Sequence, residues 1–192
     1  MLTHKGTVTL TTDRLVLRRF EIDDAQAMYD NWTTDEKVTK FMTWDIHESV
    51  EKTRELLTQW VSQYENLEYY KWVIEYIPEN NIIIGDINLH AVSNQSWRAD
   101  LGYNIGSKWW NKGIMTEAAY AVVEYAFNEI GMNKICAAHD TENIGSGRVM
   151  QKIGMVLEGH FYKDSRRKDG SWRDTDWYGI LKENWISNKK AK

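Results

Sequence analysis

One cysteine and one proline are all that the chain holds of either residue. A lone Cys136 cannot close an internal disulfide and fits a reducing compartment. Its surroundings, KICAAH, read as a buried strand rather than a nucleophile's setting. The five histidines, His4, His47, His90, His139 and His160, show no metal-ligand spacing, so no metal site is expected. No apolar run approaches membrane-spanning length, and the opening MLTHKGTVTL lacks a signal-peptide pattern. A cytoplasmic protein with no membrane partner is therefore expected. A net charge of −4 argues against nucleic-acid binding. There is no Walker-type lysine loop. Gly145-Ser146-Gly147 fails as a dinucleotide fingerprint, because the third glycine's place is Met150. Linkers, repeats and low-complexity segments are absent, so 192 residues make one domain.

Aromatic residues, by contrast, are plentiful, and there are ten tryptophans. Trp60 and Trp72 fall on apolar faces and are expected in the core. Trp109, Trp110 and Trp172 flank turns, where a large ring can wall a pocket.

Periodicity supplies the element order. Leu15, Leu17 and Phe20 mark a strand within residues 9–20. Residues 21–32 read as a helix with Asp23 and Gln26 as a capping box. Residues 33–44 have no clear period. Asp45 and Glu48 repeat the cap pattern ahead of a helix to about Tyr64. Strands at 71–77 and 82–90 form a hairpin around the proline turn, and another strand follows at 97–105. A long helix ends at Gly131. The strand at 134–139, the helix at 143–153 and the strands at 155–162 and 172–181 complete the chain, with a charged hairpin loop at 163–171. The order is β-α-α-β-β-β-α-β-α-β-β. A strand–helix–strand passage over 97–139 implies a parallel crossover, and the hairpins imply antiparallel pairing elsewhere. The fold class is a single-domain mixed α/β sheet.

The chain is organised around residues 108–126, KWWNKGIMTEAAYAVVEYA. Gly113 pivots a turn, and Ile114, Ala118, Val122 and Tyr125 recur at helical spacing behind it. A helix start presents unpaired N–H groups and partial positive charge, to which a phosphate is suited. An ordinary amphipathic core helix after a tight turn is the plainer reading of the same residues.

Several landmarks together carry a family resemblance. They are Thr12-Asp13-Arg14-Leu15-Val16-Leu17-Arg18, Gly85-Asp86-Ile87-Asn88-Leu89, residues 109–118, Asn143-Ile144-Gly145-Ser146-Gly147-Arg148-Val149 with Lys152-Ile153-Gly154, and Trp172-Arg173-Asp174 with Tyr178. In order and spacing the chain resembles the GCN5-related N-acetyltransferases, in the ribosomal-protein-alanine (RimJ/RimL-like) branch. The resemblance implies a mostly antiparallel GNAT-like sheet with a splayed central strand pair, flanked by helices. It implies an N-acetyltransferase domain over 9–183; residues 1–8 read as a loose arm and 184–192 as a C-terminal tail, with 187–192 expected to be disordered.

By the same resemblance, acetyl-CoA is the donor. Its pyrophosphate would lie on the loop Trp110, Asn111, Lys112, Gly113, Ile114, Met115 and Thr116, and its pantetheine along Asn104, Ile105, Gly106 and Asn143. Arg148, with Lys108, Lys112 and Lys152, would meet the remaining phosphates. Trp110 and Met115 depart from the usual loop. Asp100 stands where the family often has Glu and, one methylene shorter, would act as base through water; the plainer reading is a solvated strand residue. Ser146 would protonate the thiolate, since the Tyr that many relatives use is here Met150. The acceptor is a primary amine: a protein N-terminus, or a small amine such as a polyamine, amino-acid derivative or antibiotic. A non-catalytic coenzyme A-binding module is the reading of another class. The family's members often form homodimers.

Overall fold

The computed structural model describes residues 1–190. Its strands are β1 (Leu10–Thr11), β2 (Leu15–Arg18), β3 (Tyr70–Tyr76), β4 (Ile82–Ser93), β5 (Arg98–Ile105), β6 (Lys134–Asp140), β7 (Val156–Arg166) and β8 (Trp172–Leu181). They form one sheet in the order β1-β2-β3-β4-β5-β6-β8-β7. Among the described residues only β5 and β6 pair in parallel. The helices are α1 (Ala25–Met28), α2 (Glu36–Thr39), α3 (Val50–Ser62), α4 (Ile114–Tyr125), α5 (Ile144–Lys152) and α6 (Lys182–Lys190). The α/β class, the mixed sheet and the 97–139 parallel crossover match the sequence reading. No helix among the described residues is long and apolar enough to cross a membrane.

Strand alternation sorts β5 into two faces. Ala99, Leu101 and Ile105 are buried and join Ile114, Ala118 and Val122 of α4 in one core. Asp100, Gly102 and Asn104 face the other side. The second core lies under α1–α3, where Phe20, Met28, Trp32, Leu57, Val73 and Ile83 pack. The central helix keeps its expected apolar stripe, passes into a π turn over Ala126–Ile130, and stops at left-handed Gly131.

Several local expectations are corrected. The first strand breaks at Asp13 into the β1–β2 hairpin, because the Thr12 hydroxyl accepts from Leu15 N and closes a turn. The capping box is Glu21 with Asp24, not Asp23 with Gln26. The α3 cap is Ser49, not Asp45, since His47 N donates to Thr33 O and holds the preceding segment as loop. The 1–8 arm is tied down: Thr3 N bonds Ile130 O at 2.8 Å and Trp72 Nε1 bonds Val8 O at 2.7 Å. The expected tail is α6 through Lys190, anchored by buried Trp185 against Tyr120 and Phe127. Residues 191–192 lie outside the described residues. The loop expected at 163–171 is shorter, because β7 runs to Arg166.

Candidate active site

The parallel β5–β6 ladder has only three rungs, ending at Asp100–Cys136. Beyond it the strands fork. On its other side β5 stays paired to β4 through Ile105. Gly106 N donates to Ile84 O, and antiparallel bonding alternates, so the N–H and C=O of Tyr103 and Ile105 point away from β4 into the fork. The Ile105 carbonyl accepts from Trp110 Nε1 at 2.8 Å. That bond folds the Trp110 ring back as a wall of the opening.

At the fork's mouth lies the start of α4. Asn111 and Gly113 both adopt left-handed φ, 61° and 74°, which turns the chain sharply. The first helical bond is Glu117 N to Gly113 O, leaving the amides of Ile114, Met115 and Thr116 without helical partners. The Ile114 and Met115 side chains are buried, so those residues hold the turn in the core while their amides stay available. Glu117 clamps the turn to the N-terminal hairpin. Its carboxylate accepts from Thr12 Oγ1 at 2.6 Å and from Arg14 Nε at 2.7 Å, and Arg14 Nη1 donates to Lys112 O. Burial pushes the Glu117 carboxyl up, but these bonds outweigh it and hold it below the usual carboxylate range.

Helix α5 forms the opposite wall. Asn143 caps it by accepting from Ser146 N at 3.3 Å. The Tyr103 hydroxyl crosses the fork, donating to Ser146 O at 3.0 Å and lying 3.1 Å from Ser146 Oγ. Burial pushes the Tyr103 phenol well up, so it stays protonated. Gly147 leaves room for His139: a Cβ there would sit 2.7 Å from His139 Nε2.

The fork opens through the sheet into a cleft of about 1090 Å³. On the far face, Lys71 Nζ bonds Asp86 at 2.7 Å, lies 3.9 Å from the Trp60 ring centre, and Asp86 accepts from Asn104 Nδ2 at 2.6 Å. Because a carboxylate only accepts, this fixes the Asn104 amide with Oδ1 turned away. Asp100 lines the same face, with Oδ1 held by Arg98 Nη2 at 2.9 Å. The hairpin tip crosses the end of the cleft. Arg167 grips Asp140 bidentately at 2.7 and 2.8 Å, and Lys168 donates to Thr39 O and Trp44 O. Buried polar atoms lacking a partner gather around this space: Trp32 Nε1, Thr33 Oγ1, Asn104 Oδ1, His139 Nε2, Arg173 Nε and Thr175 Oγ1 all belong to lining residues. Such groups await water or a ligand.

Residues 14–156 match the model of the acetyltransferase (GNAT) domain. The chain belongs to the GNAT acetyltransferase family. It is an acyltransferase of the N-acetyltransferase type. It is 33% identical over 92% of its length to the uncharacterized N-acetyltransferase YnaD of Bacillus subtilis (strain 168), covering 98% of that protein. It is 30% identical to the [ribosomal protein uS5]-alanine N-acetyltransferase of Escherichia coli (strain K12), with 95% of each chain covered. A solved GNAT-family acetyltransferase from Bacillus anthracis superposes with a TM-score of 0.79 at 32% identity, covering 92% of this chain and 99% of that one.

Most site residues expected from sequence line the GNAT cleft: Asp100, Asn104, Ile105, Trp110, Asn111, Gly113, Ile114, Met115, Thr116, Asn143, Ser146, Arg148 and Lys152. Three expected residues do not line it. Gly106 is buried off the cleft, where a Cβ would lie 2.2 Å from Asn31 O. Lys112 is not a lining side chain and contributes its carbonyl to Arg14. Lys108 pairs with Glu79 at 3.4 Å. Sequence reasoning missed Tyr103, Arg173 and Thr175. Strand alternation carried a signal for the last two, since they share one face of β8 with Trp177.

Proposed function

We propose that this domain transfers acetyl from acetyl-CoA to a primary amine, and that the amine is a protein N-terminus. One observation carries the donor reading: the Ile105 N–H and the main-chain groups of Tyr103 point into an open fork whose mouth is the amide-rich turn at Gly113. The amides of Gly113, Ile114, Met115 and Thr116, framed by Trp110 and Asn111, suit a diphosphate. Arg148 and Lys152, which share a helix face and make no ion pair among the described residues, suit its other phosphates. Asn104, Ile105 and Asn143 flank the path of the pantetheine arm. The N-terminal acceptor rests on the likeness to the uS5-alanine enzyme.

In this reading the amine nitrogen attacks the thioester carbonyl, a C–N bond forms, and the C–S pair leaves on sulfur. The Ile105 N–H stabilises the developing oxyanion. Asp100 takes the amine's proton through a water at Oδ2. Ser146 gives its hydroxyl proton to the leaving sulfur and takes one back from solvent, as Asp100 releases the amine's proton to solvent. Titration calorimetry with acetyl-CoA, followed by thiol release with a panel of N-terminal peptides and small amines, tests this. Binding of acetyl-CoA with thiol release on peptides is expected. Absence of both heat and thiol release would overturn the donor reading, and release with small amines alone would overturn the N-terminal acceptor.

A further inference from the structure

Arg173, Thr175 and Trp177 alternate along β8 and present one face to the cleft. Among the described residues the Arg173 guanidinium makes no hydrogen bond and no ion pair, and its buried Nε lacks any partner. Two residues on, buried Thr175 likewise has an unpartnered Oγ1. The nearby carboxylates are already committed. Asp140, the β6 partner of Thr175, is held by both ends of the Arg167 fork and by Glu142 N. Glu142 itself pairs with Arg167 at 2.9 Å and Lys40 at 3.7 Å. Asp140 is near enough for its charge to feel Arg173, yet its oxygens are taken by Arg167 and Glu142 N, so the half-buried guanidinium has no acceptor in hydrogen-bond reach, an unfavourable state. Residues i and i+2 on a strand are about 7 Å apart, so a guanidinium and a hydroxyl there can converge on one anionic group. Trp32 and Trp177 wall the same cleft, and excluding water strengthens such a contact.

From this we infer that the acceptor carries, besides its amine, a carboxylate that Arg173 and Thr175 hold. The inference rests on the acetyl-transfer reading and narrows its acceptor. The carboxylate has two sources: an acidic side chain near a polypeptide N-terminus, or the acid group of a small amino acid or dipeptide.

Steady-state kinetics with matched acceptor pairs tests it. One arm compares N-terminal peptides with Glu or Gln in the first positions; the other compares dipeptides with a free or an amidated C-terminus. The acid member of at least one arm is expected to show a KM lower by about 10- to 100-fold, the scale of a charge-assisted hydrogen bond, and the arm that responds identifies the source. Arg173→Gln is expected to abolish that preference, Arg173→Lys to restore part of it, and the heat of acetyl-CoA binding to stay as in the wild type. Equal KM values within both wild-type pairs would overturn the carboxylate site whether or not the variants fold. So would an undiminished preference in a folded Arg173→Gln protein. Loss of acetyl-CoA binding and thiol release with every acceptor would overturn the acetyl-transfer reading itself, and the inference with it.

Discussion

The Tyr103 hydroxyl stands 3.1 Å from Ser146 Oγ and donates to the Ser146 carbonyl, so one phenol ties β5 to α5 across the gap in the sheet. The proposed proton donor is thus held by a neighbour that cannot itself ionise near neutral pH. Ser146→Ala is expected to lower kcat roughly 100-fold, the low end for a positioned proton donor, with acetyl-CoA affinity little changed. Tyr103→Phe is expected to lower kcat less, and the double variant to fall no further than Ser146→Ala. Additive losses would show that the two side chains act independently.

Asp100 sits at the last rung before the fork, steered by Arg98. Asp100→Asn is expected to depress kcat/KM most at low pH, where free amine is scarcest. A pH–rate profile checks this, and a uniform drop across pH would remove Asp100 as the base.

Lys71 and Asp86 form a buried pair, with side chains 11% and 2% exposed. Breaking it by Lys71→Met is expected to destabilise the fold by about 3–5 kcal/mol, because it strands a buried carboxylate. Chemical denaturation measures this. Lys71→Met with Asp86→Leu is expected to recover much of the loss, which would separate the penalty of an orphaned charge from lost packing.

Burial lowers the pKa of His47, whose Nδ1 lies 2.7 Å from Thr53 Oγ1. A depressed histidine means that the unfolded chain binds the proton first. The stability that neutral His47 gives is therefore present above the ordinary value of about 6.5 and lost as pH falls through the folded value. The thermal midpoint is expected to drop below pH 6.5, before the carboxylates titrate. In His47→Asn that first step should vanish; its persistence would assign it elsewhere.

Much of this fold was legible because its periods are strong. The α4 stripe, the helix stop at Gly131 and the strand over Trp172–Leu181 follow from spacing alone. Boundaries failed where tertiary bonds overrode local preference: Ser49 caps α3 because His47 is held by Thr33, and Trp185 turns an expected tail into a helix by burying its ring. The candidate loop at Gly113 was visible because backbone geometry leaves a glycine signature. Gly106 packs closely against Asn31, and a glycine needed for close packing looks the same in sequence as one needed beside a ligand. Tyr103 was hidden because its importance lies in what it faces across strands far apart in the chain, and for Arg173 alternation gives the face but not the missing partner. No local pattern encodes that a cation near Asp140 lacks a partner once Arg167 has claimed the carboxylate.

With three rungs joining β5 to β6, the five-strand half and the three-strand half of the sheet share a narrow hinge of hydrogen bonds. A molecule bonding the bare Tyr103 and Ile105 amides would extend that seam and staple the halves into one cooperative unit. Occupancy would then be felt at the distant edges, β1 and β7, as slower amide exchange along the whole width of the sheet.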